Sequence, residues 1–307
     1  MGLVDEFTGH RTHLTAVAYR LTGSVSDAED AVQEAWLRLA ALPEDKAGEI
    51  RDLKAWLTTV VGRISLDRLR SAAVQREKYI GQWLPEPIVT PVAGTQAEDP
   101  LDVTVRDEGV RMAAMVVLDK LTPEQRVAFV LHDAFAMPFD EIAGVLGVSV
   151  DAARQHASRG RRALKDAEPP PRASMAEQQE ILDRFLQALF SGDVQAVAEV
   201  LHPDVMVIGD SNGKARTTRQ IMVGADKVIR FFQGLLKMYE PGAFTAGRPV
   251  LVNGDLGVYL QRKPAADEQY LDLDAHVQTM AIRDGRVVAI YDIANPDKLT
   301  HVPEAAG

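Results

Sequence analysis

Residues 137–165 constrain the fold of this chain more than any other stretch. Pro138 suits the first position of a short helix, and Gly147 supplies a left-handed residue where that helix ends. Ser149 then suits the N-cap of a second helix. The inner side of the second helix has small or apolar residues at helical spacing: Val150, Ala153, Ala157, Gly160 and Leu164. Because small residues let two helices cross closely, the stretch predicts a helix-turn-helix, a motif that reads DNA.

The outer side of the second helix is polar and basic. Its candidate DNA-contacting residues are Arg154, Gln155, Ser158, Arg159, Arg161, Arg162 and Lys165. The cations among them face a single acid, Asp151, and such a surface is typical of phosphate contact. The alternative is an ordinary helical hairpin with a solvated basic face.

The overall charge argues against unaided DNA binding. The chain has a net charge of -10, whereas a protein that holds DNA alone usually has a basic surface. We therefore expect small basic islands that act inside a larger assembly. The absence of cysteine excludes disulfides, Cys-ligated zinc and thiol catalysis. The start lacks a leader pattern and no apolar run reaches membrane length, so we predict a cytoplasmic protein without membrane contact, metal or cofactor.

The N-terminal part predicts two amphipathic helices. A capping box at residues 26–29 begins the first helix, and Trp36 lies among acids beside its apolar face. Trp36 is either a protein-docking residue or, as the commoner alternative, a core residue. The second helix covers residues 53–74, and the bases near its far end either lie along nucleic acid or complement the helix dipole in solvent.

Residues 79–107 predict an extended linker. This segment contains four prolines, several acids and no Lys or Arg before Arg106, a composition that argues against a packed core. Trp83 and Leu84 are unusual in a pure spacer, so we expect them to dock on another surface. A second helical part follows, with a capping box at residues 122–125 and the helix-turn-helix at its end.

The C-terminal third changes from helical to strand-like periodicity. Asn253-Gly254 and Asp284-Gly285 are type I′ hairpin signals between alternating strands, and a helical stretch at residues 225–237 interrupts those strands. The order predicts an α+β domain with an antiparallel curved sheet.

A pocket in that domain would have polar candidates. His276 alternates with Gln278, Met280 and Ile282 on one strand face, and Asp210, Tyr259 and Tyr291 are candidates for the same cavity. A His and an Asp there suit general acid/base chemistry. The alternative, which we favour because no spacing fixes a catalytic pair, is a set of satisfied polar groups in a core. We therefore assign no catalytic residue.

Three segments together resemble a known family. Residues 27–39 (Asp-Ala-Glu-Asp-Ala-Val-Gln-Glu-Ala-Trp-Leu-Arg-Leu), residues 55–71 (Ala-Trp-Leu-Thr-Thr-Val-Val-Gly-Arg-Ile-Ser-Leu-Asp-Arg-Leu-Arg-Ser) and the helix-turn-helix occur in the order typical of the sigma-70 family. The chain resembles most its extracytoplasmic-function (ECF) class, the smallest bacterial transcription initiation factors. The resemblance implies two partners: core RNA polymerase, through the clamp helices of its largest subunit and its flap, and promoter DNA. It also explains the acidic charge, because the polymerase supplies electrostatic affinity for DNA.

The resemblance implies roles for matching positions. Polymerase docking would fall to Asp27, Asp30, Gln33, Glu34 and Trp36. Engagement and melting of the minus-ten promoter element would fall to Arg63, Asp67, Arg68 and Arg70. The minus-thirty-five element would be read by the helix from Val150, with Arg154, Gln155 and Ser158 nearest the bases and Arg159, Arg161, Arg162 and Lys165 nearer the phosphates.

The C-terminal third resembles the SnoaL-like branch of the cone-shaped NTF2-like fold. Three segments, at residues 83–87, 210–214 and 295–299, are similar to signature segments of ECF sigma factors with a fused SnoaL-like extension, the SigJ type. The middle segment departs from the family's glycine-rich Asp-Gly-Gly-Gly-Lys form, so its backbone is expected to be less permissive. The implied linker and cis-regulatory contacts are Trp83, Leu84, Pro85, Asp210, Lys214, Asn295, Pro296, Asp297, Lys298 and Leu299. The resemblance also allows a small-molecule ligand in the SnoaL-like pocket.

We therefore predict a multidomain chain with two all-α sigma domains followed by an α+β NTF2-like, SnoaL-like cone. The predicted domains are sigma-70 region 2 at 1–78, a Pro-rich acidic linker at 79–107, sigma-70 region 4 at 108–168, and a SnoaL-like regulatory domain at 174–303. One rival hypothesis is a SnoaL-like isomerase or cyclase with a DNA-binding appendage. A second rival, a dimeric regulator that binds an operator without polymerase, conflicts with the acidic charge.

Overall fold

A computed structural model describes residues 3–92 and 108–302, which divide into two compact units. Residues 3–78 and 108–169 form the helical unit, and residues 79–92 and 170–302 form the C-terminal unit. The rest of the predicted linker, residues 93–107, and the last predicted domain residue, 303, lie outside the described residues. Within the described ranges, no helix is both long and apolar enough to cross a membrane.

The first half of the helical unit consists of four helices. They are α1 (Leu3–Thr22), α2 (Val25–Ala40), α3 (Glu44–Ala47) and α4 (Leu53–Arg76). The predicted N-cap of α2 is wrong by two residues, because Ser24 rather than Ser26 caps it and accepts the Asp27 N–H at 3.2 Å. Gly23, at φ 72°, already ends α1, so the next helix begins at the first residue that can cap it.

The second half of the helical unit ends in the predicted helix-turn-helix. Its helices are α5 (Met112–Asp119), α6 (Pro123–Phe129), α7 (Phe139–Leu146) and α8 (Val150–Ala167), with a π-helical turn at Val130–Ala134. Thr122 and Gln125 form the predicted capping box of α6. Gly147 adopts φ 70° after α7, and the Ser149 side chain accepts the Ala152 N–H at 3.2 Å to begin α8.

The two halves of the helical unit pack on each other. A Cβ added to Gly62 of α4 would lie 3.3 Å from Leu131 and 3.4 Å from Val145, so helices of both halves share one apolar contact. Arg126 of α6 is fully buried and donates from Nε to the carbonyl oxygen of Arg20 in α1 at 3.0 Å. Burial lowers the pKa of Arg126 to about 10.

The C-terminal unit packs three helices against a sheet. The helices are α9 (Met175–Ser191), α10 (Val194–Val200) and α11 (Ala225–Met238). The strands are β1 (Val89–Pro91), β2 (Leu201–Asp210), β3 (Met222–Val223), β4 (Arg248–Val252), β5 (Asp255–Leu260), β6 (His276–Arg283) and β7 (Arg286–Ile293), and among the described residues they form one sheet in the order β1-β4-β5-β6-β7-β2-β3. Phe185, Phe232 and Ile290 belong to the core between helices and sheet.

The sheet is mixed rather than antiparallel as predicted. β2 runs parallel to β7, with Val207 opposite Ile290, whereas β4 to β7 pair antiparallel. No tight turn joins β2 to β7, so their relative direction depends on the path of the chain between them and not on a local signal. Both predicted hairpin turns are confirmed, because Asn253, Gly254, Asp284 and Gly285 all have positive φ. The predicted fold class is confirmed in its helical and α+β parts.

Candidate functional site

Helix α8 presents its predicted DNA-contacting side chains to solvent. All seven, from Arg154 to Lys165, are exposed, whereas Ala153, Ala157 and Gly160 are buried on the opposite side. A Cβ on Gly160 would lie only 2.7 Å from the Cβ of Phe129 and 3.1 Å from the Gln125 carbonyl oxygen. Glycine is therefore required for the close approach of α8 to α6.

Neighbouring side chains hold two of the α8 arginines in defined positions. Arg161 forms a bidentate ion pair with Asp133, with both N–O distances at 2.8 Å. Arg154 pairs with Asp151 at 2.8 Å, and its guanidinium lies 5.8 Å from the centre of the Phe139 ring. Within the described ranges, Arg159 and Lys165 form no ion pair, so their charges remain available to an anion.

The predicted polymerase-docking acids and one predicted minus-ten base are joined by ion pairs. Arg68 of α4 donates to Asp27 at 2.8 Å and to Asp30 at 3.3 Å on α2. Glu34 pairs instead with Arg38, one turn further along α2. Gln33 and Asp67 are exposed. Arg68 thus joins two predicted docking acids to the predicted minus-ten group, and we call the exposed sides of α2 and α4 together the α2–α4 surface.

Trp36 lies on that surface and not in the core. It is 36% exposed, and its neighbour Leu37 is 52% exposed. The prediction left Trp36 open between docking and core, and it did not consider Leu37. The helical periodicity of α2 could have indicated this exposure, because both residues fall outside the buried stripe that begins at Val25 and ends at Leu39.

Two other predicted minus-ten residues contact the second half of the helical unit. Arg63 donates to the Gly144 carbonyl oxygen at 3.1 Å. Arg70 donates from Nε and Nη2 to one oxygen of Glu124 at 3.1 and 3.0 Å. Burial tends to raise the pKa of Glu124, but its backbone hydrogen bond and Arg70 outweigh that effect and lower it. These guanidinium groups are engaged by protein groups.

In the C-terminal unit, Asp210 binds the linker. Its side chain is fully buried and accepts the Leu84 N–H at 2.7 Å, the Lys298 ammonium at 2.6 Å and the Tyr79 hydroxyl. Lys298 also donates to the Leu84 carbonyl oxygen and lies 4.0 Å from the centre of the Trp83 ring. Asn295 donates to the Tyr79 hydroxyl oxygen at 2.8 Å. We call Asp210, Asn295 and Lys298 the linker clamp.

The linker continues along the sheet after the clamp. Leu84 and Pro85 are buried, the Ile88 N–H donates to the Asn253 side chain at 3.1 Å, and β1 pairs antiparallel with β4. His301 and the buried Glu86 lie 3.1 Å apart. Residues 79–92 are therefore extended, as a linker is expected to be, and also packed in part, because Leu84, Ile88 and Val89 are buried in this unit.

The segment that follows Asp210 adopts a left-handed turn with one glycine, Gly213, where the family form has three. Asn212 and Gly213 have φ values of 49° and 71°. Asparagine tolerates this conformation better than most residues, and the Asn212 side chain accepts the Ile80 N–H at 3.2 Å. Lys214 pairs with Asp297, which lies with Pro296 and Lys298 in a 3-10 turn that ends at Leu299.

The predicted cavity residues divide between the two faces of the sheet. His276, Gln278, Met280 and Ile282 line cavities on the face covered by helices. The prediction that Asp210, Tyr259 and Tyr291 join them is wrong. Asp210 binds the linker, Tyr259 lies opposite Val277 in the register and Tyr291 lies opposite Thr279, so strand alternation places them on the other face.

The partner of His276 is a residue that the prediction missed. His276 and Asp292 share a hydrogen bond of 2.8 Å from Nδ1, and Asp292 also accepts Gln278 at 3.0 Å and the Thr217 hydroxyl. Burial lowers the pKa of His276, but the charge and hydrogen bond of Asp292 outweigh it and raise the pKa. Burial likewise tends to raise the pKa of Asp292, and its three partners lower it. The two residues form an ion pair in the cavity wall, in which the Asp292 carboxylate has three hydrogen-bond partners.

Family models match three parts of this chain. Sigma-70 region 2 matches residues 7–74, sigma-70 region 4 matches residues 111–164, and a SnoaL-like domain matches residues 182–291. The order is the one predicted from the motifs.

Two curated relatives and one crystal structure cover almost the whole chain. ECF RNA polymerase sigma factor SigJ of Mycobacterium tuberculosis is 51% identical over 98% of this chain and 94% of its own length. The probable ECF sigma factor SigI of the same species is 30% identical over 94% of this chain and 92% of its own. The crystal structure of M. tuberculosis SigJ superposes with a TM-score of 0.81 at 49% identity, over 98% of this chain and 99% of that one. The chain belongs to the ECF RNA polymerase sigma factors.

Proposed function

We propose that the α2–α4 surface docks on core RNA polymerase, at the clamp helices of its largest subunit. The feature that supports this proposal is the exposed Trp36–Leu37 pair beside Asp30 and Gln33, because an exposed aromatic residue surrounded by polar groups is typical of an interface anchor. The second half of the helical unit would bind the polymerase flap. These partners would act in the cytoplasm, as the relatives' role with RNA polymerase implies.

The promoter would be contacted at two places. Arg63, Asp67, Arg68 and Arg70 of α4 would engage the minus-ten element, and α8 would enter the major groove at the minus-thirty-five element. Arg154, Gln155 and Ser158 lie on the first turns of α8, where side chains reach base edges, and the later cations suit phosphates. Arg63 and Arg70 would have to exchange their protein partners for DNA.

The C-terminal unit would regulate initiation in cis through the linker clamp. The observation that carries this proposal is the buried Asp210, whose carboxylate accepts a backbone N–H of the linker and the Lys298 ammonium. A segment between two DNA-binding domains that is held in this way has a restricted reach, so closing or opening the clamp would change how the domains span a promoter. A small-molecule ligand of the unit's cavity would be one source of such a change.

Run-off transcription with purified core RNA polymerase tests the proposal. The template is a promoter fragment selected from genomic DNA by the full chain with polymerase. Transcription that requires the added protein is expected, and Lys298→Ala should change its yield at least about threefold, because the substitution removes the ion pair and the bond to Leu84. Trp36→Ala should lower the apparent affinity for polymerase about tenfold or more.

Lys227→Ala is the matched control, because Lys227 is an exposed lysine of the same unit and lies away from the clamp. Equal yields from wild type, the Lys298 variant and the Lys227 variant would remove the regulatory proposal. Dependence of yield on Lys298 without any effect of Trp36 would remove the docking proposal alone.

A further inference from the structure

The C-terminal unit contains two neighbouring cavities on one face of the sheet, here called the wide lobe and the narrow lobe, and together the cavity. The wide lobe has a volume of about 450 Å³ and includes His276, and the narrow lobe of about 80 Å³ includes Met280 and Ile282. Gln278 and Phe232 line both lobes, so the two lobes are adjacent. At about 3.4 Å per residue, the distance along β6 from His276 at the polar end to Ile282 at the apolar end is roughly 20 Å. The cavity therefore suits a molecule with a polar head and an apolar body.

The polar end of the cavity is cationic. Arg216, Arg219 and Arg230 line the wide lobe and are exposed at its mouth. None of them forms an ion pair with another described residue. The acid of the lining, Asp292, is already occupied by His276, Gln278 and Thr217 and does not neutralise these arginines. Asp274 lies nearby and accepts the backbone N–H of Arg216 at 2.9 Å, but it is not part of the lining.

His276 adds a further donor to this end. Its side chain is 8% exposed, and its Nδ1 is used by Asp292. Among the described residues, its Nε2 has no hydrogen-bond partner. The raised pKa favours the protonated ring, in which Nε2 carries a hydrogen. A carboxylate oxygen of a ligand at this position would accept a charge-assisted hydrogen bond from this N–H.

The other end of the cavity is apolar. The narrow lobe lies between α9 and the sheet, and Phe185, Leu189 and Leu256 are among its lining residues. Phe244 and Leu260 line both lobes. An aliphatic group placed there loses its contact with water without losing a hydrogen bond, and each buried CH₂ contributes about 0.8 kcal/mol.

We propose that this cavity binds an amphipathic organic carboxylate, with its carboxylate at Arg216, Arg230 and the Nε2 of His276 and its aliphatic body directed toward Met280. A planar carboxylate accepts paired N–H groups from a guanidinium, which distinguishes it from a neutral head group. The inference deepens the cis-regulatory function proposed above. The biological role of the ligand rests on that function, whereas the binding itself is tested without it.

The ligand site and the linker clamp use neighbouring segments. A methyl group on Gly81 of the linker would lie 3.7 Å from the carbonyl oxygen of Arg219. Asp292 in the cavity wall lies three residues before Asn295, which binds Tyr79. A ligand that binds one state of the clamp more tightly than the other would therefore shift the clamp equilibrium by its difference in affinity.

Isothermal titration of the full chain, without polymerase or DNA, tests the binding. The probes are decanoate, which has head and tail, decanol, which lacks the charge, and acetate, which lacks the tail, all below their micelle concentrations. We expect decanoate to bind with one-to-one stoichiometry, decanol at least about tenfold more weakly and acetate without measurable heat. Equal binding of decanol and decanoate, or no binding of decanoate, would overturn the proposal.

A double variant, Arg216→Gln with Arg230→Gln, tests the head site. Both side chains are exposed, so folding should be preserved, and decanoate should bind about tenfold more weakly while decanol is unaffected. Arg286→Gln is the matched control, because Arg286 is an exposed arginine at the start of β7 outside the cavity. An equal loss in the control and the double variant would contradict the assignment. If decanoate does not bind but Lys298→Ala still changes the transcription yield, the ligand proposal is wrong and the clamp proposal stands. If decanoate binds but Lys298→Ala has no effect on transcription, the clamp proposal is wrong and the ligand proposal stands.

Discussion

Replacement of Asp210 by alanine should release the linker from the C-terminal unit. The carboxylate is fully buried and its partner Lys298 has a side-chain exposure of 10%, so solvent screens the pair only weakly. The substitution leaves both the Lys298 ammonium and the Leu84 N–H without this acceptor. Removal of one partner from a buried ion pair costs about 3–5 kcal/mol. We use the lower end, about 3 kcal/mol, because Lys298 keeps its bond to the Leu84 carbonyl oxygen.

Native-state hydrogen exchange measures this release. The Leu84 amide is unsuitable, because it loses its own acceptor in the variant. The Asn253 amide, which donates to the Ile88 carbonyl oxygen at 2.8 Å, and the Ile88 amide keep their partners and report opening of the linker. A change of about 3 kcal/mol in the opening free energy corresponds to roughly 100-fold faster exchange of both amides.

The matched control is Asp297→Ala. Asp297 and its partner Lys214 are 58% and 47% exposed, so the loss of this pair should change the opening free energy by less than about 1 kcal/mol. Exchange should therefore accelerate less than about fivefold. If Asp210→Ala accelerates exchange no more than the control does, the buried pair does not hold the linker and the reasoning is wrong.

Three further predictions concern the helical unit and the cavity. Gly160→Ala should lower the free energy of unfolding by about 1–3 kcal/mol, because the added Cβ would lie 2.7 Å from that of Phe129. Gly144→Ala, at an exposed site on α7, should instead raise it by about 0.5–1 kcal/mol. Calorimetry that ranks the two variants equally would refute the packing argument. Arg159→Ala should weaken promoter binding by the polymerase complex on all sequences alike and reduce the slope of log affinity against log salt by about 1; a sequence-dependent loss would instead place Arg159 at a base. Because the pKa of His276 is raised, its contribution to stability is fully present below its ordinary pKa of about 6.5 and is lost as pH rises through the raised value. In chemical denaturation, the unfolding free energy of His276→Gln should therefore depend less on pH in this range than that of the wild type. An unchanged profile would contradict the charged pair.

Local signals explain why much of the helical unit was predictable. The Thr122–Gln125 capping box, the Gly147 turn and the Ser149 cap all depend on contacts within a few residues, and each is present. The cap of α2 was misplaced because Ser24 and Ser26 both fit the local pattern. The end of α1 at Gly23 decides between them.

The candidate site was less predictable where it depends on two strands. Alternation along β6 correctly grouped His276 with Gln278, but the register that opposes Gln278 to Asp292 cannot be read from either strand alone. Tyr259 and Tyr291 were assigned to the wrong face for the same reason. The parallel pairing of β2 with β7 was missed because no hairpin joins those strands.

The sequence by itself determined the family, the order of its helical and α+β parts, and the exposed basic face of α8, because motifs and helical periodicity are local properties. The resemblance implied that Asp210, Leu84 and Lys298 take part in linker contacts. Only the tertiary structure decided which of them bond to each other, that Asp210 turns away from the cavity, and that Arg70 contacts Glu124. Those contacts join residues far apart in the chain, and their geometry follows from how the elements pack.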